Sequence, residues 1–178
     1  MMALAGCLAT GGSGPAVAQP HASLPPGDAV VKADYVQKFL GYVDWPAGAY
    51  AGPDAPHVVA VLRADDVLLA LEQLAAGRSA AAGNRPLVVR RVAADDALAG
   101  VHLLLIGRGA RPADATALRA LPLLVVTDAP TGLADYAMLN FVTVDRRVRF
   151  EASPAAAERA GLKLNARLLA VAVRVSAP

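Results

Sequence analysis

The apolar run VHLLLIG leads into Gly107-Arg108-Gly109-Ala110-Arg111, and a helical pattern follows. A helix N-terminus flanked by two arginines is a sound anion site, with Arg108 and Arg111 as the ligand-binding residues. The pattern stops short of a nucleotide fingerprint. Pro112 occupies the third glycine position of Gly-x-Gly-x-x-Gly, and no Lys-Ser/Thr pair follows as a phosphate loop requires. Glycine is also what an ordinary strand-to-helix turn needs. His57 and His102 each begin a candidate strand, so the two imidazoles approach one another if those strands are neighbours. Two histidines with no third ligand make a poor metal site, and polar strand-end residues are the simpler reading. Asp65-Asp66 and Asp95-Asp96 are carboxylate pairs. Acid–base catalysis needs carboxyls from different elements converging on a pocket. Adjacent aspartates before apolar helices are more simply caps that suit the helix dipole. No Gly-x-Ser-x-Gly elbow exists, and the few serines lie in turns or tails. The residues thus argue against an enzyme: no catalytic set, metal site or cofactor site emerges.

The chain carries too little charge to suggest nucleic acid. Its 178 residues have a formal net charge of +2, 18% charged and 56% apolar residues. Aromatics make up 4%, and only Phe150 lies in a basic run, so the base-stacking signal is missing as well. The length suggests one domain with a core large enough to need no disulfides. Cys7 is the only cysteine.

Residues 1–27 carry no charge and are small, apolar and rich in Gly and Pro. They read as an export signal and leader, with residues 28–178 as the mature α/β domain. Two readings of the leader stand. Ala16-Val17-Ala18 fits cleavage by signal peptidase, and Leu4-Ala5-Gly6-Cys7 resembles a lipobox in which Cys7 is lipidated. Both place the mature protein in the same compartment, free or tethered. No later apolar run reaches the ~20 residues of a membrane span without a charge or proline.

The elements that would position these residues follow from periodicity. Residues 28–45 read as a helix capped by Asp28 and stopped by Pro46, with Val31, Tyr35, Phe39 and Tyr42 on its apolar face, Val36, Leu40 and Val43 widening that face, and Trp45 ending the aromatic stripe. HVVAVL (57–62), VHLLLIG (101–107) and PLLVVTD (122–128) are continuous apolar runs, as expected of strands buried on both faces. PLVVRRV (86–92) is a further strand. Helices fall between them: 67–77 behind Asp65 or Asp66, a short turn after Asp95-Asp96, and a segment with Pro112 near its first turn. This alternation predicts a single α/β domain with a mixed, mostly parallel sheet and helices on both faces.

The style changes at NFVTVDRRVRFEA (140–152), where apolar and polar residues alternate as in an antiparallel hairpin. Asp145-Arg146 is a poor pair for a tight type I′ turn, which leaves a longer loop open. Alternation puts Val148 and Phe150 on one face and Arg147, Arg149 and Glu151 on the other, read as solvated or partner-facing. Ser153-Pro154 starts a short helix that Gly161 closes, and Asn165 caps ARLLAVAVRV, where a helix fits somewhat better than a strand.

VKADYVQKFLGYVDWP, the pair PLVVRRV and VHLLLIG, MLNFVTVDRRVRFEA, and AGLKLNARLLAVA occur in the order of a known pattern. From about Val30 to Val175 the chain resembles the YfiR/HmsC-like family. The resemblance implies a periplasmic protein that represses an inner-membrane diguanylate cyclase through the cyclase's periplasmic region. Loss of repression then raises cyclic di-GMP and favours biofilm. It also implies an outer-membrane lipoprotein that sequesters the repressor, and a second copy of the chain is a further candidate partner. Many relatives carry cysteines where this chain has Val59-Ala60 and Val101, so redox control is not expected here. Arg149, Glu151, Lys163 and Arg167 are the expected partner contacts. Reversing the charge of Arg149 or Glu151 is expected to weaken binding and leave the fold intact. The alternative function is a ligand-binding sensor module working through Arg108 and Arg111.

Overall fold

The computed structural model describes residues 27–77, 85–119 and 121–176. Helix α1 (Gly27–Gly41) precedes a short strand, β1 (Val43–Asp44). Then come β2 (His57–Leu62), α2 (Asp65–Ala76), β3 (Leu87–Arg91), β4 (Leu103–Ile106), α3 (Ala115–Arg119) and β5 (Leu124–Thr127). The hairpin is β6 (Leu139–Val144) and β7 (Arg147–Ala152), followed by α4 (Pro154–Arg159), β8 (Lys163–Leu164), α5 (Ala166–Ala170) and β9 (Arg174–Val175). Seven strands form one sheet in the order β3-β2-β4-β5-β6-β7-β9. Its strands β2 to β6 run parallel to one another, β7 runs antiparallel to β6, and β9 runs parallel to β7. The leader and Cys7 lie outside the described residues.

The three apolar runs are central because both of their faces are covered. Val59, Val61, Leu103, Leu105, Leu124 and Val126 face one core with α1 and α2. Ala60, Leu62, Leu104, Ile106 and Val125 face a second core with Leu118 of α3. Helices therefore lie on both sides, as the strand–helix alternation requires. In the larger core, Phe39 of α1 packs on Phe141 and Phe150 of the hairpin, with ring centroids 5.8 and 4.9 Å away. Tyr35 joins them at 5.5–6.1 Å.

Several elements differ from expectation for identifiable reasons. Helix α1 stops at Gly41, and Val43-Asp44 pair with Leu164-Lys163 instead of extending it. Its buried face is Ala29, Ala33, Val36, Phe39 and Leu40, while Val31 and Tyr42 are exposed. Alanines at 29 and 33 let the helix approach its neighbours more closely than a stripe of bulky residues would. Asp28 lies in the first turn of α1, and Asp65 and Asp66 lie in that of α2; the N-cap of α2 is Ala64, with no side-chain cap bond. These carboxylates suit the helix dipoles, and the Asp66 carboxylate accepts from the first-turn Val67 N–H at 2.9 Å, so Asp66 satisfies an end group of α2 from within the helix and not from the N-cap position. Asp95-Asp96 belongs to a turn, in which Asp96 accepts from the Ala93 N–H at 2.8 Å. Pro112 lies outside α3, whose first turn is held by the Asp114 carboxylate accepting from Thr116 and Ala117.

The expected last helix is shorter than its pattern. Asn165 does cap α5, accepting from the Arg167 N–H at 2.9 Å, but the helix ends at Ala170 and Arg174-Val175 pair with Glu151-Ala152. Alternate valines at 171, 173 and 175 suit a strand, and all three are exposed. The hairpin turn is a two-residue one after all. Asp145 and Arg146 have φ of 49° and 59°, both in the left-handed region a type I′ turn demands. The flanking register of six pairs, Leu139↔Ala152 through Val144↔Arg147, holds that strain in place.

Candidate functional site

Three polar constellations lie on this frame: one at the amino ends of the parallel strands, one at their carboxyl ends, and one beneath the hairpin. The first contains both histidines. Strands β2 and β4 are neighbours, and the His57 and His102 ring centroids are 6.1 Å apart. The His102 Nδ1 accepts from the Val58 N–H at 3.1 Å, so its Nε2 carries the proton and donates to the Ala49 carbonyl at 3.0 Å. That pairing occupies both ring nitrogens of a neutral imidazole. Tyr50 stacks on His102 at 4.2 Å, and its hydroxyl is hydrogen-bonded to the His57 Nδ1 at 2.7 Å. Arg85 lies 3.9 Å over the Tyr50 ring and donates to the carbonyls of Gly52 and Ala55. Trp45 completes the cluster edge-on to His102.

Burial pushes the Tyr50 hydroxyl up to about 12 despite the opposing pull of Arg85. Burial also holds His102 below its ordinary 6.5; the bond to Ala49 opposes this shift, and Arg85 adds to it. Both groups are therefore uncharged at neutral pH. The cluster fastens the 46–56 loop to the sheet, a role no local pattern in that Gly/Pro-rich stretch announces. Among the described residues no three His, Cys, Asp or Glu side chains gather as metal ligands.

At the carboxyl ends, the glycine motif has a packing cause. A Cβ on Gly107 would lie 2.0 Å from the Arg63 carbonyl oxygen, so only glycine fits where the two chain segments meet. Gly109 has φ of 72°. Helix α3 has only five residues and starts at Ala115, four positions beyond Arg111, so its terminus does not serve the arginines as expected. Arg108 lies 3.4 Å from one oxygen of Asp128, whose other oxygen takes the Lys32 ammonium of α1 at 2.8 Å. Arg111 is exposed and makes neither an ion pair nor a side-chain hydrogen bond among the described residues.

Beneath the hairpin, Glu151 is buried, at 5% exposure. Its Oε2 accepts from the Asn140 amide at 3.2 Å, and its Oε1 lies 3.2 Å from the Arg174 guanidinium on β9. Asn140, fully buried, also accepts from the Ala129 N–H and the Thr127 hydroxyl, and donates to the Ala129 carbonyl. This network ties β5, β6, β7 and β9 together. It corrects the solvated polar face expected of β7: alternation assigned Glu151 a side of the sheet, and the segment around Ala129 to Gly132 covers that side.

Of the other expected partner contacts, Arg149 is half-buried, with its guanidinium on the Val148 carbonyl, while Lys163 and Arg167 are exposed. Arg149 points away from Val148 and Phe150. Lys163 and Arg167 sit on segments whose Leu164 and Leu168 pack into the core containing Phe150. The four residues are thus spread over both faces of the sheet and one of them is inside it.

Residues 29–173 match the model of the family described as YfiR/HmsC-like. No curated protein matches the chain.

Proposed function

The chain belongs to the YfiR/HmsC-like family, and we propose that it is a periplasmic regulator that binds and represses a membrane-bound diguanylate cyclase. The single observation that carries this reading is the family match across residues 29–173. In this reading residues 1–27 direct export, by a cleaved signal or through a lipid on Cys7, and residues 28–178 act as a non-enzymatic domain. The domain contacts the cyclase's periplasmic region, lowers cyclic di-GMP and limits biofilm, and an outer-membrane lipoprotein relieves the repression by sequestering it. Exposed Lys163 and Arg167, with half-buried Arg149, are the contacts assigned here, because arginine and partly desolvated charge are favoured at interfaces. Glu151 contributes by holding Arg174, and with it β9, rather than by touching the partner.

Deleting the gene in its own host and measuring cellular cyclic di-GMP tests the reading. A clear rise, reversed by the wild-type gene and not by one encoding Lys163→Glu with Arg167→Glu, is the expected result. An unchanged level detaches the protein from cyclase repression.

A further inference from the structure

We infer that the cleft at the carboxyl ends of β4 and β5 binds a small carboxylate with an apolar body, held by Arg108 and Arg111. The cleft encloses about 550 Å³, runs from the Gly107–Arg111 segment to Pro130, Thr131 and Tyr136, and has no acidic residue in its wall. That volume and position suit a small-molecule site in an open parallel sheet. A neighbouring cleft of about 310 Å³ shares Pro112 and Ala113 but is rimmed by Asp95, Asp96 and Asp114. Two adjoining apolar hollows therefore carry opposite charge, and only the first favours an anion.

The donors in the first cleft are available. Arg111, Thr131 and the Tyr136 hydroxyl have no side-chain hydrogen bond among the described residues. Arg108 is the second cation on Asp128: Lys32 already holds that carboxylate at 2.8 Å, with both side chains largely buried. The Arg108 contact is longer, at 3.4 Å, and its side chain is 65% exposed, so turning it toward a ligand leaves Asp128 neutralised. Gly107 is explained by its approach to Arg63, but that contact places no demand on the two arginines that follow it. A guanidinium matches a carboxylate geometrically, two of them line this cleft, and Ile106, Ala110, Pro130 and the Tyr136 ring offer the apolar wall for its body.

The test uses the chain with benzoate and hexanoate, and with benzamide and inorganic phosphate as controls, read by thermal shift and by amide NMR shifts. Both carboxylates are expected to raise the melting temperature at about 10 mM, as any ligand that binds the folded state must. Shifts should concentrate in residues 107–111 and 129–136. Arg111→Ala should weaken binding about tenfold, the scale of one charge-assisted hydrogen bond, while Arg119→Ala outside the cleft changes nothing. The inference is overturned by no stabilisation from either carboxylate, by benzamide or phosphate binding as well as benzoate, by shifts mapping elsewhere, or by unchanged affinity in both Arg108→Ala and Arg111→Ala. None of these results bears on cyclic di-GMP in the deletion strain, so this inference and the regulatory reading fail separately.

Discussion

Glu151→Arg puts a cation where the fold holds a buried anion. The substitution removes the acceptor for the Asn140 amide and sets a second guanidinium beside Arg174, at a site 5% exposed. The new guanidinium at position 151 is buried without a partner, and an uncompensated buried charge costs about 3–5 kcal/mol. In a domain of this size 1 kcal/mol moves the melting temperature by about 2–4 °C, so the expected fall is roughly 6–20 °C. Glu151→Gln is the internal control. Its amide oxygen still accepts from Asn140 and only the pairing with Arg174 is lost. Because the Arg174 side chain is 72% exposed, that loss is about 1 kcal/mol or less. Arg149→Glu, on a half-buried side chain with no carboxylate partner, should stay within about 0.5 kcal/mol of wild type. Thermal and urea unfolding followed by circular dichroism would rank the three. A Glu151→Arg protein melting within 2–4 °C of wild type, about the effect of 1 kcal/mol, refutes the reasoning, as does an Arg149→Glu protein that falls as far. The ranking replaces the expectation that reversal at 151 spares the fold.

Three further outcomes are expected. Since burial lowers the His102 pKa below 6.5, the unfolded chain binds more protons there as pH falls. Its stabilisation is complete above about pH 6.5 and is lost as pH drops toward the depressed folded value; His102→Asn should flatten the dependence of the urea midpoint between pH 7.5 and 5.5, and an equal slope in both proteins counts against the assignment. Gly107→Ala forces a Cβ to within 2.0 Å of the Arg63 oxygen and should cost about 3 kcal/mol, so an unchanged urea midpoint would show that the two segments separate freely. Arg146→Gly relieves a side chain at φ 59° and should raise stability by roughly 0.5–1 kcal/mol after the entropy lost by glycine; a lower melting temperature would mean that the arginine makes up for its strain elsewhere.

What could be read from the chain divides along physical lines. HVVAVL, HLLLIG and PLLVVTD were legible because burial on both faces demands continuous apolar residues, and NFVTV with RVRFEA because one buried face demands alternation. Strands β1, β8 and β9 have two residues each, too few to show a period, so Val43-Asp44 merged with a helix pattern and Arg174-Val175 with another. The neighbourhood of His57 and His102 was legible once their strands were, but the Tyr50 and Arg85 that complete the cluster come from loop positions with no periodic signal. Glu151 was misplaced for a different reason. Alternation reports which side of a sheet a residue takes, and only tertiary structure reports whether a loop closes over that side.

The same distinction decides how function should be probed. No buried side-chain polar atom among the described residues lacks a partner, and these polar groups hold backbone or strands: His102 on Val58 and Ala49, Asn140 on Ala129, Glu151 on Arg174. If the chain acts by binding a partner as proposed, substituting any of them would disturb that binding indirectly, through the 46–56 loop or the docking of β9, and a lost phenotype would say nothing about contact. Charges that the fold does not use are different: Lys163, Arg167 and Arg111 are exposed and enter no ion pair among the described residues, so changing them leaves the core untouched. A loss of repression from Lys163→Glu or Arg167→Glu at unchanged stability therefore locates a contact surface, whereas the same loss from Glu151→Arg locates only a weakened sheet edge.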